Sequence, residues 1–554
     1  MKRKHLVIYY AALAVFFLIF WYFSLFPLNL RDPVFFLLMI FAAALILAPF
    51  LLDLSVQGVK QASPFNPSGA GQNLSITLRK GAKLLVIPLA LVVLYVLGLA
   101  TGLTPFQSRN YAGLITMEDG NFQEDITEIE FYDIPTIDRE TAIRLGNKKM
   151  GEMAQLVSQF DVAEDYTQIN YLDEPVRVTP LAYDGFFKWL GNRSEGIPNL
   201  VTVNLVSGEV DMVPIEGGMR YSESEYLLRN IHRHVRFRYP TAILGDAKFE
   251  IDENAVPHWI FPVLQPQVGW FSGRNVTHAI IVNAATGAAE KIPVGEIPEW
   301  VDRAYPSEMV MEQLDDHGQY QDGWFNSFIG QRGVLQVTDG YNYLALNDDV
   351  FLYTGITSVS GDSSNLGFVL VNQRTKDTRF YAVSSADEVS AMRSAEGAVQ
   401  QMGYYSTFPI LLNINGRPTY CMALKDNAAL VKMYALVDAQ NFQSVATGTT
   451  ILDAQLSYEN LLQTQLIQEG LGEDPSLDTE VIELEGVVTG ITQVVIEGNT
   501  SFYLRLEDEP LTFVAPITLN PELAFLESGQ SVTVTYRESQ GADGLYRLDS
   551  LETD

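Results

Sequence analysis

A chain of 554 residues is too long for one hydrophobic core, so several domains are expected. Its formal charge of −31, from 36 Lys/Arg and 67 Asp/Glu, repels phosphate backbones and argues against nucleic acid as a partner. The single cysteine, Cys421, excludes an intramolecular disulfide, which fits a bacterial cell surface better than a eukaryotic secreted protein.

Charge divides the chain. Through residue 103 there are 8 basic and 2 acidic residues; beyond it there are 28 and 65. Net charge of that kind keeps a large exposed region soluble, or attracts cations or a basic partner. The basic part holds three stretches long enough to cross a bilayer, which takes about 20 apolar residues: 6–26, 34–52 and 84–103, none with an ionisable side chain. The first follows MKRKH but is too long for a signal peptide and has no small-residue cleavage site. Seven residues, PLNLRDP, lead from it into the second, so the two form a helical hairpin.

Orientation follows from the basic residues. Lys2, Arg3 and Lys4 precede the first span, and Lys60, Arg79, Lys80 and Lys83 lie between the second and third. The connecting turn has only Arg31, beside Asp32. The N-terminus and the 53–83 loop are therefore expected in the cytoplasm of a bacterial cell, with residues 104–554 outside. The loop, with SPFNPSGAGQN, reads as unstructured. Three spans are few for a transporter and read as an anchor.

The outer region repeats itself. An apolar strand ending in Val-Asn or Val-Asp, two free positions and Ser, Thr or Asn occurs at Val203-Asn204, Val282-Asn283, Val371-Asn372 and Val437-Asp438. Asn or Asp at a strand end bonds the backbone two residues on, and Gly or another residue at positive φ completes the turn. Each copy is thus a hairpin, at separations of 79, 89 and 66 residues, which is domain-sized spacing rather than a solenoid period. Helical patterns precede three copies: TIDRETAIRLGNKKMGEMAQLVSQF, YSESEYLLRNIHRHVRFRYP and SADEVSAMRSAEGAVQQMG. Strand candidates follow, among them YTQINY and EPVRVTPLAY. The third copy shows no clear helix.

A Glu/Ala-rich helix, a strand pair and a closing V-N/D-A-x-T-G hairpin together resemble the PepSY domain, a small α+β module of bacterial exported and membrane proteins. VNAATG at 282–287 matches best and VDAQNF at 437–442 next. The resemblance covers residues 110–450 in pieces and implies an inhibitory or regulatory binding module, often directed at peptidases. The whole arrangement also resembles a family of Gram-positive membrane proteins with three N-terminal spans and such an ectodomain, a likeness that implies no activity.

A helix pattern, AQLSYENLLQTQLIQEGL, and an acidic linker, GEDPSLDTE, follow. Alternation from Val481 onward gives five short strands around NPELAFLESG, which resembles an OB-like barrel. Such barrels bind oligonucleotides or oligosaccharides, but the acids here disfavour nucleic acid, and a packing or protein-contact role is the plainer reading.

The expected fold class is a membrane-anchored α+β protein: three N-terminal transmembrane helices, repeated helix-plus-antiparallel-sheet modules and a small C-terminal β-barrel. The expected domains are the membrane region 1–104, α+β modules 105–216 and 217–306, an irregular β-rich module 307–385, a fourth module with linker 386–478, and the barrel 479–554.

Chemistry is sparse. There is no H-E-x-x-H, G-x-S-x-G or P-loop. His232 and His234 flank Arg233 on a helix, where i and i+2 diverge. His278 is expected to begin a strand beside a neighbour, and His258 falls in no motif. Asp315-Asp316-His317, followed by Gly, reads as a surface turn rather than a zinc site. Cys421 reads as a buried hydrophobe and GDSSN at 361–365 as a β-turn. No catalytic, cofactor-binding or metal-binding residue is assigned. Calcium, drawn to the acidic stretches 117–125 and 347–349, is the one cofactor considered, although neither has the EF-hand spacing. The expected function is a membrane-anchored extracytoplasmic binding, scaffold or regulatory protein, not an enzyme, that holds an envelope protein partner through PepSY-like modules. The alternatives are a cell-surface hydrolase of wall polymer, with paired carboxylates, or the outer part of a larger membrane complex.

Overall fold

The computed structural model describes residues 3–57, 73–78, 80–126, 134–346, 348–359, 364–414, 416–468, 481–496, 499–507, 509, 511–516, 519–542 and 545–553. The chain is α+β and divides into two compact units: residues 1–431 with 437–443, and residues 432–436 with 444–554.

The first unit begins with apolar helices Arg3–Ser24, Pro33–Leu51 and Val86–Ala100. The segments Lys4–Ser24 and Lys83–Ala100 are long and apolar enough to cross a membrane; Pro33–Pro49 is shorter. The expectation of a structureless 53–83 loop needs correcting. Strands Leu52–Gln57 and Asn73–Leu78 pair antiparallel, because LDLSVQ and NLSITL alternate apolar and polar residues. The SPFNPSGAGQN stretch lies outside the described residues except for Asn73.

The turn between the first two helices and the end of the third meet one loop, at residues 269–274. Arg31 donates to the Gly269 carbonyl (3.2 Å), Trp270 Nε1 to Leu30 (3.0 Å) and the Trp270 N–H to Thr101 Oγ1 (2.9 Å). Phe271 packs its ring against Phe36 and Tyr95, and Arg274 pairs with the buried Asp32 at 3.4 Å. Nearby, the Arg233 guanidinium lies 4.4 Å from the Tyr22 ring centre.

Four copies of one topology follow. The first has helix Arg139–Gly151, short strands Phe160–Val162 and Thr167–Tyr171, a long central strand Glu174–Tyr183, then Ile197–Asn204 and Val210–Met219. The central strand pairs with both short strands on one side and with the next strand on the other. The second repeats this with helix Ile231–Arg238 and central strand Pro257–Val268. The third has central strand Asp349–Ser358. It does carry a helix, Ser307–Tyr320, contrary to expectation. The fourth has helix Glu388–Ala398 and central strand Arg417–Lys425, which pairs with both of its short strands.

The repeated turn has one mechanism. The Asn or Asp side chain accepts the N–H groups two and three residues on: Asn204 from Val206 and Ser207, Asn283 from Ala285 and Thr286, Asn372 from Arg374 and Thr375, Asp438 from Gln440 and Asn441. Gly208, Gly287 and Lys376 then take φ of +72°, +75° and +68°. The residue after each Asn or Asp ties the copy together. Its N–H donates to the start of the central strand: Leu205 to Pro175, Ala284 to Pro257, Gln373 to Val350, Ala439 to Pro418. Its carbonyl accepts from the entry to the helix, namely Ile137, Tyr221, Tyr305 and Ala386. One turn therefore fixes strand and helix in each copy.

Period-2 alternation stacks the copies. In the second, Trp259, Phe261, Ile280 and Val282 enter a core shared with the first copy's Val176, Val178, Val201 and Val203. On the opposite face Ile260, Ala279 and Ile281 pack with the third copy's Val310, Leu314, Leu352 and Val369. Both faces of this sheet are covered, so its strands read as nearly continuous apolar runs.

In the second unit, helix Ile451–Gln468 is capped reciprocally: Thr450 Oγ1 accepts the Asp453 N–H and Asp453 Oδ2 accepts the Thr450 N–H, both at 3.1 Å. Five strands follow: Val481–Ile496, Asn499–Leu506, Thr512–Pro516, Ser531–Ala542 and Leu545–Thr553. Each pairs with two others and the ring closes, with Thr512–Pro516 and Leu545–Thr553 parallel. Phe513, Val532, Val534 and Leu548 fill it.

Candidate functional site

Residues from all four repeats line one cavity of about 470 Å³ in the first unit. A space of that size admits a small molecule or the end of an extended chain. The first repeat supplies Asp138, Glu140 and Arg177; the second Asp246 and Lys248; the third Arg303, Ser307 and Tyr343; the fourth Tyr405 and Lys425.

Strand geometry places Arg177. It sits opposite Gln168 in the pairing of Thr167–Tyr171 with Glu174–Tyr183 and donates to Gln168 Oε1 at 3.1 Å. Val176 and Val178 on either side turn into the core, so Arg177 faces the cavity. It is 8 % exposed, and its Nε has no partner. Burial pushes its pKa down to about 10, and repulsion from Arg303 adds to the fall, against the pull of Asp138.

Arg303 is set by a buried acid. Glu250 Oε2 accepts the Asp302 N–H at 2.9 Å, and Oε1 accepts the Arg303 N–H at 3.0 Å. Asp302 Oδ2 in turn accepts the Asn170 N–H at 2.6 Å, which joins the first repeat to the third. Burial raises Glu250 to about 7, although the two N–H groups and Arg303 pull the other way. Asp302 is raised as well, by burial and then by the Glu250 charge. The Arg303 guanidinium lies 3.9 Å from the Tyr343 ring centre and donates to Ser307 Oγ (3.2 Å) and Tyr343 OH (2.5 Å).

Lys425, 1 % exposed, ends the fourth repeat's central strand. It donates to Asp138 Oδ2 at 2.7 Å and reaches Glu140 Oε2 at 3.4 Å. Asp138 also caps helix Arg139–Gly151 by accepting the Thr141 N–H. Burial works to raise Asp138, but Lys425 and Thr141 outweigh it and hold the carboxyl below its ordinary value. Buried Arg177 and Arg303 and the hydroxyls of Ser307 and Tyr343 thus line the cavity beside the Lys425–Asp138 pair, while Asp246 and Glu308 are exposed.

The histidines, cysteine and acidic stretches singled out in the sequence do not line this cavity. His232 meets Glu223 at 2.8 Å, His234 the Gly287 carbonyl at 2.8 Å, His258 the Val256 carbonyl at 2.9 Å and His317 the Ala112 carbonyl at 2.8 Å. His278 meets Thr277 Oγ1 at 3.1 Å, and it lies inside strand Ser272–Asn283 rather than at its start. Asp315, Asp316 and His317 belong to helix Ser307–Tyr320, not to a surface turn. Asp315 accepts the Val337 N–H, and Asp316 is raised to about 7 by burial and the charges of Glu312 and Asp315. Cys421 is buried, with its thiol pushed up to about 12. Of the stretches considered for calcium, Asp125 pairs with Arg379 at 2.8 Å and Asp349 with Arg374 at 2.7 Å, while residue 347 lies outside the described residues. Among the described residues no group of three or more His, Cys, Asp or Glu is placed to hold a metal. Residues 361–363 of GDSSN are also outside the described set; Ser364 and Asn365 pair with Ala386 and Ser385.

Sequence reasoning missed Arg177, Arg303, Tyr343 and Lys425. Arg177 and Thr179 alternate with valines in EPVRVTPLAY, the pattern of a solvated polar face. Lys425 closing the apolar run PTYCMALK was the available signal, since a lysine deep in such a run needs a partner. In sequence the chain matches no protein-family model and no curated protein.

Proposed function

We propose that this protein is a membrane-anchored extracytoplasmic binding protein of the bacterial envelope. Three N-terminal helices hold it, residues 104–554 lie outside, PepSY-like modules frame the binding cleft and an OB-like domain ends the chain. The observation that carries this reading is a cavity lined by all four repeats, since clefts between modules are where ligands bind. That the turn after the first apolar helix and the end of the third share one side with the repeats is supported by the contacts of loop 269–274, which meets both. The strand order and the parallel pair of the barrel support the OB-like reading.

The bound partner is a segment of an envelope protein entering the cleft. Full-length protein and its Glu308→Trp variant, which fills the cavity mouth, are purified from native membranes after crosslinking, and the captured proteins are compared by mass spectrometry. A partner recovered with the native chain and lost with the variant is expected. Recovery of the same proteins by both, or of none, contradicts the reading.

A further inference from the structure

We infer that the floor of the shared cleft is an oxyanion site, in which Arg177 and Arg303 together hold a carboxylate or phosphate group of the ligand. This deepens the binding reading above and rests on it.

Three cations are buried at this cavity, and they differ in how they are matched. Lys425 has two carboxylates, Asp138 and Glu140. Arg177 and Arg303, 8 % and 6 % exposed, take part in no ion pair among the described residues. Their partners are neutral: Gln168 for Arg177, Ser307 and Tyr343 for Arg303. Each keeps an Nε with no acceptor. Both line the same wall and are close enough for Arg303 to depress Arg177.

A buried charge without a counter-ion is costly, and two of like sign in one cavity are worse. Arg236 offers the internal comparison. It is equally buried and also keeps an Nε without an acceptor, but it lies outside this cavity and its other nitrogens donate to the backbone carbonyls of Ala242 and Tyr239. Hydroxyl donors stand on the same wall, those of Ser307 and Tyr343. Guanidinium forks and hydroxyls form the donor set that planar or tetrahedral oxyanions accept from. Of the acids that line the cavity, Asp138 and Glu140 are matched by Lys425 and Asp165 by Arg139 and Lys248. Asp246 and Glu308 are exposed at the mouth, so a ligand with its anionic group inward and a cationic group outward complements the whole cleft.

The test uses full-length protein in mild detergent and a double variant, Arg177→Met with Gln168→Leu. Replacing both members of the cross-strand pair leaves no new orphan acceptor. Calorimetric titration uses three probes: trialanine, its C-terminal amide, and inorganic phosphate. Saturable binding of trialanine or phosphate to the native chain is expected, at least tenfold weaker to the double variant, with the amide not competing. Binding of trialanine alone assigns a carboxylate, and binding of phosphate alone a phosphate group. A second readout needs no ligand. In buffer free of both anions the double variant is expected to melt about 2–4 °C higher, because an unmatched buried charge has gone. The proposal is overturned if the double variant melts lower, or if the titrations of native and variant chains coincide. Glu308-dependent capture of a partner together with such a failure would leave the binding reading standing and remove only its oxyanion.

Discussion

The two sides of strand Glu174–Tyr183 serve different ends. Val176 and Val178 enter the core shared by the first two repeats, where apolar atoms meet apolar atoms. Arg177, between them, faces a cavity where its guanidinium finds one amide oxygen and no carboxylate. A single alternating strand thus builds the scaffold with one face and the site with the other. The contrast teaches that stability and binding are separable here residue by residue, and that each side has its own signature under mutation.

The sharpest blow to the scaffold side is Phe261→Ala. Phe261 is 1 % exposed in the shared core, and truncating a buried phenylalanine costs about 3–5 kcal/mol. Hydrogen exchange over residues 257–283 of the full-length protein should accelerate, with that of the barrel strands unchanged. On the cavity side, Lys425→Met removes the counter-ion of Asp138. Asp138 is a third exposed, so solvent offsets part of the loss and about 1–3 kcal/mol is expected from denaturation. Asn283→Ala takes away the acceptor of two N–H groups and of the Thr286 hydroxyl and should cost about 1–2 kcal/mol. Gly287→Ala in the same turn strains φ of +75° and drives a Cβ to 2.3 Å from the Tyr221 ring, so it should destabilise at least as much.

The smallest effect is one of slope. Glu250 is raised from an ordinary 4.5 to about 7 in the folded chain. The folded state therefore holds a proton that the unfolded state has lost between those values. Stability from this group is fully present below pH about 4.5 and declines as pH rises through about 7. Melting temperatures across that window should fall with pH in the native chain and fall less steeply in Glu250→Gln, where the raised Asp302 and Asp316 remain, even though the variant starts lower for want of one acceptor.

What could be read from the sequence was local. The four Asn/Asp turns were legible because the side chain, its two N–H partners and, in three of them, the positive-φ residue all lie within five positions. The helix Ser307–Tyr320 was not. Pro306 before it makes no side-chain cap, its buried stripe is narrow, and Asp315-Asp316-His317-Gly318 imitates a turn. Gly318 stands there because a Cβ would meet the Leu335 carbonyl oxygen at 2.5 Å, a close approach that only the fold reveals. The cavity was hidden for the same reason. Arg177, Arg303 and Lys425 lie more than a hundred residues apart in sequence, and each polar face reads as solvated until stacking of the repeats covers it.

The central claim is that the shared cavity is where this protein binds. The most direct measurement places a photoreactive residue at Tyr405, on the cavity wall and 37 % exposed, and in parallel at Asp211, exposed on strand Val210–Met219 of the first repeat. Both chains are irradiated in intact cells, and the adducts are resolved by mass. The account predicts one discrete adduct from position 405, absent from position 211 and lost when Glu308→Trp is added. Equal labelling from both positions, or none from 405, would contradict it.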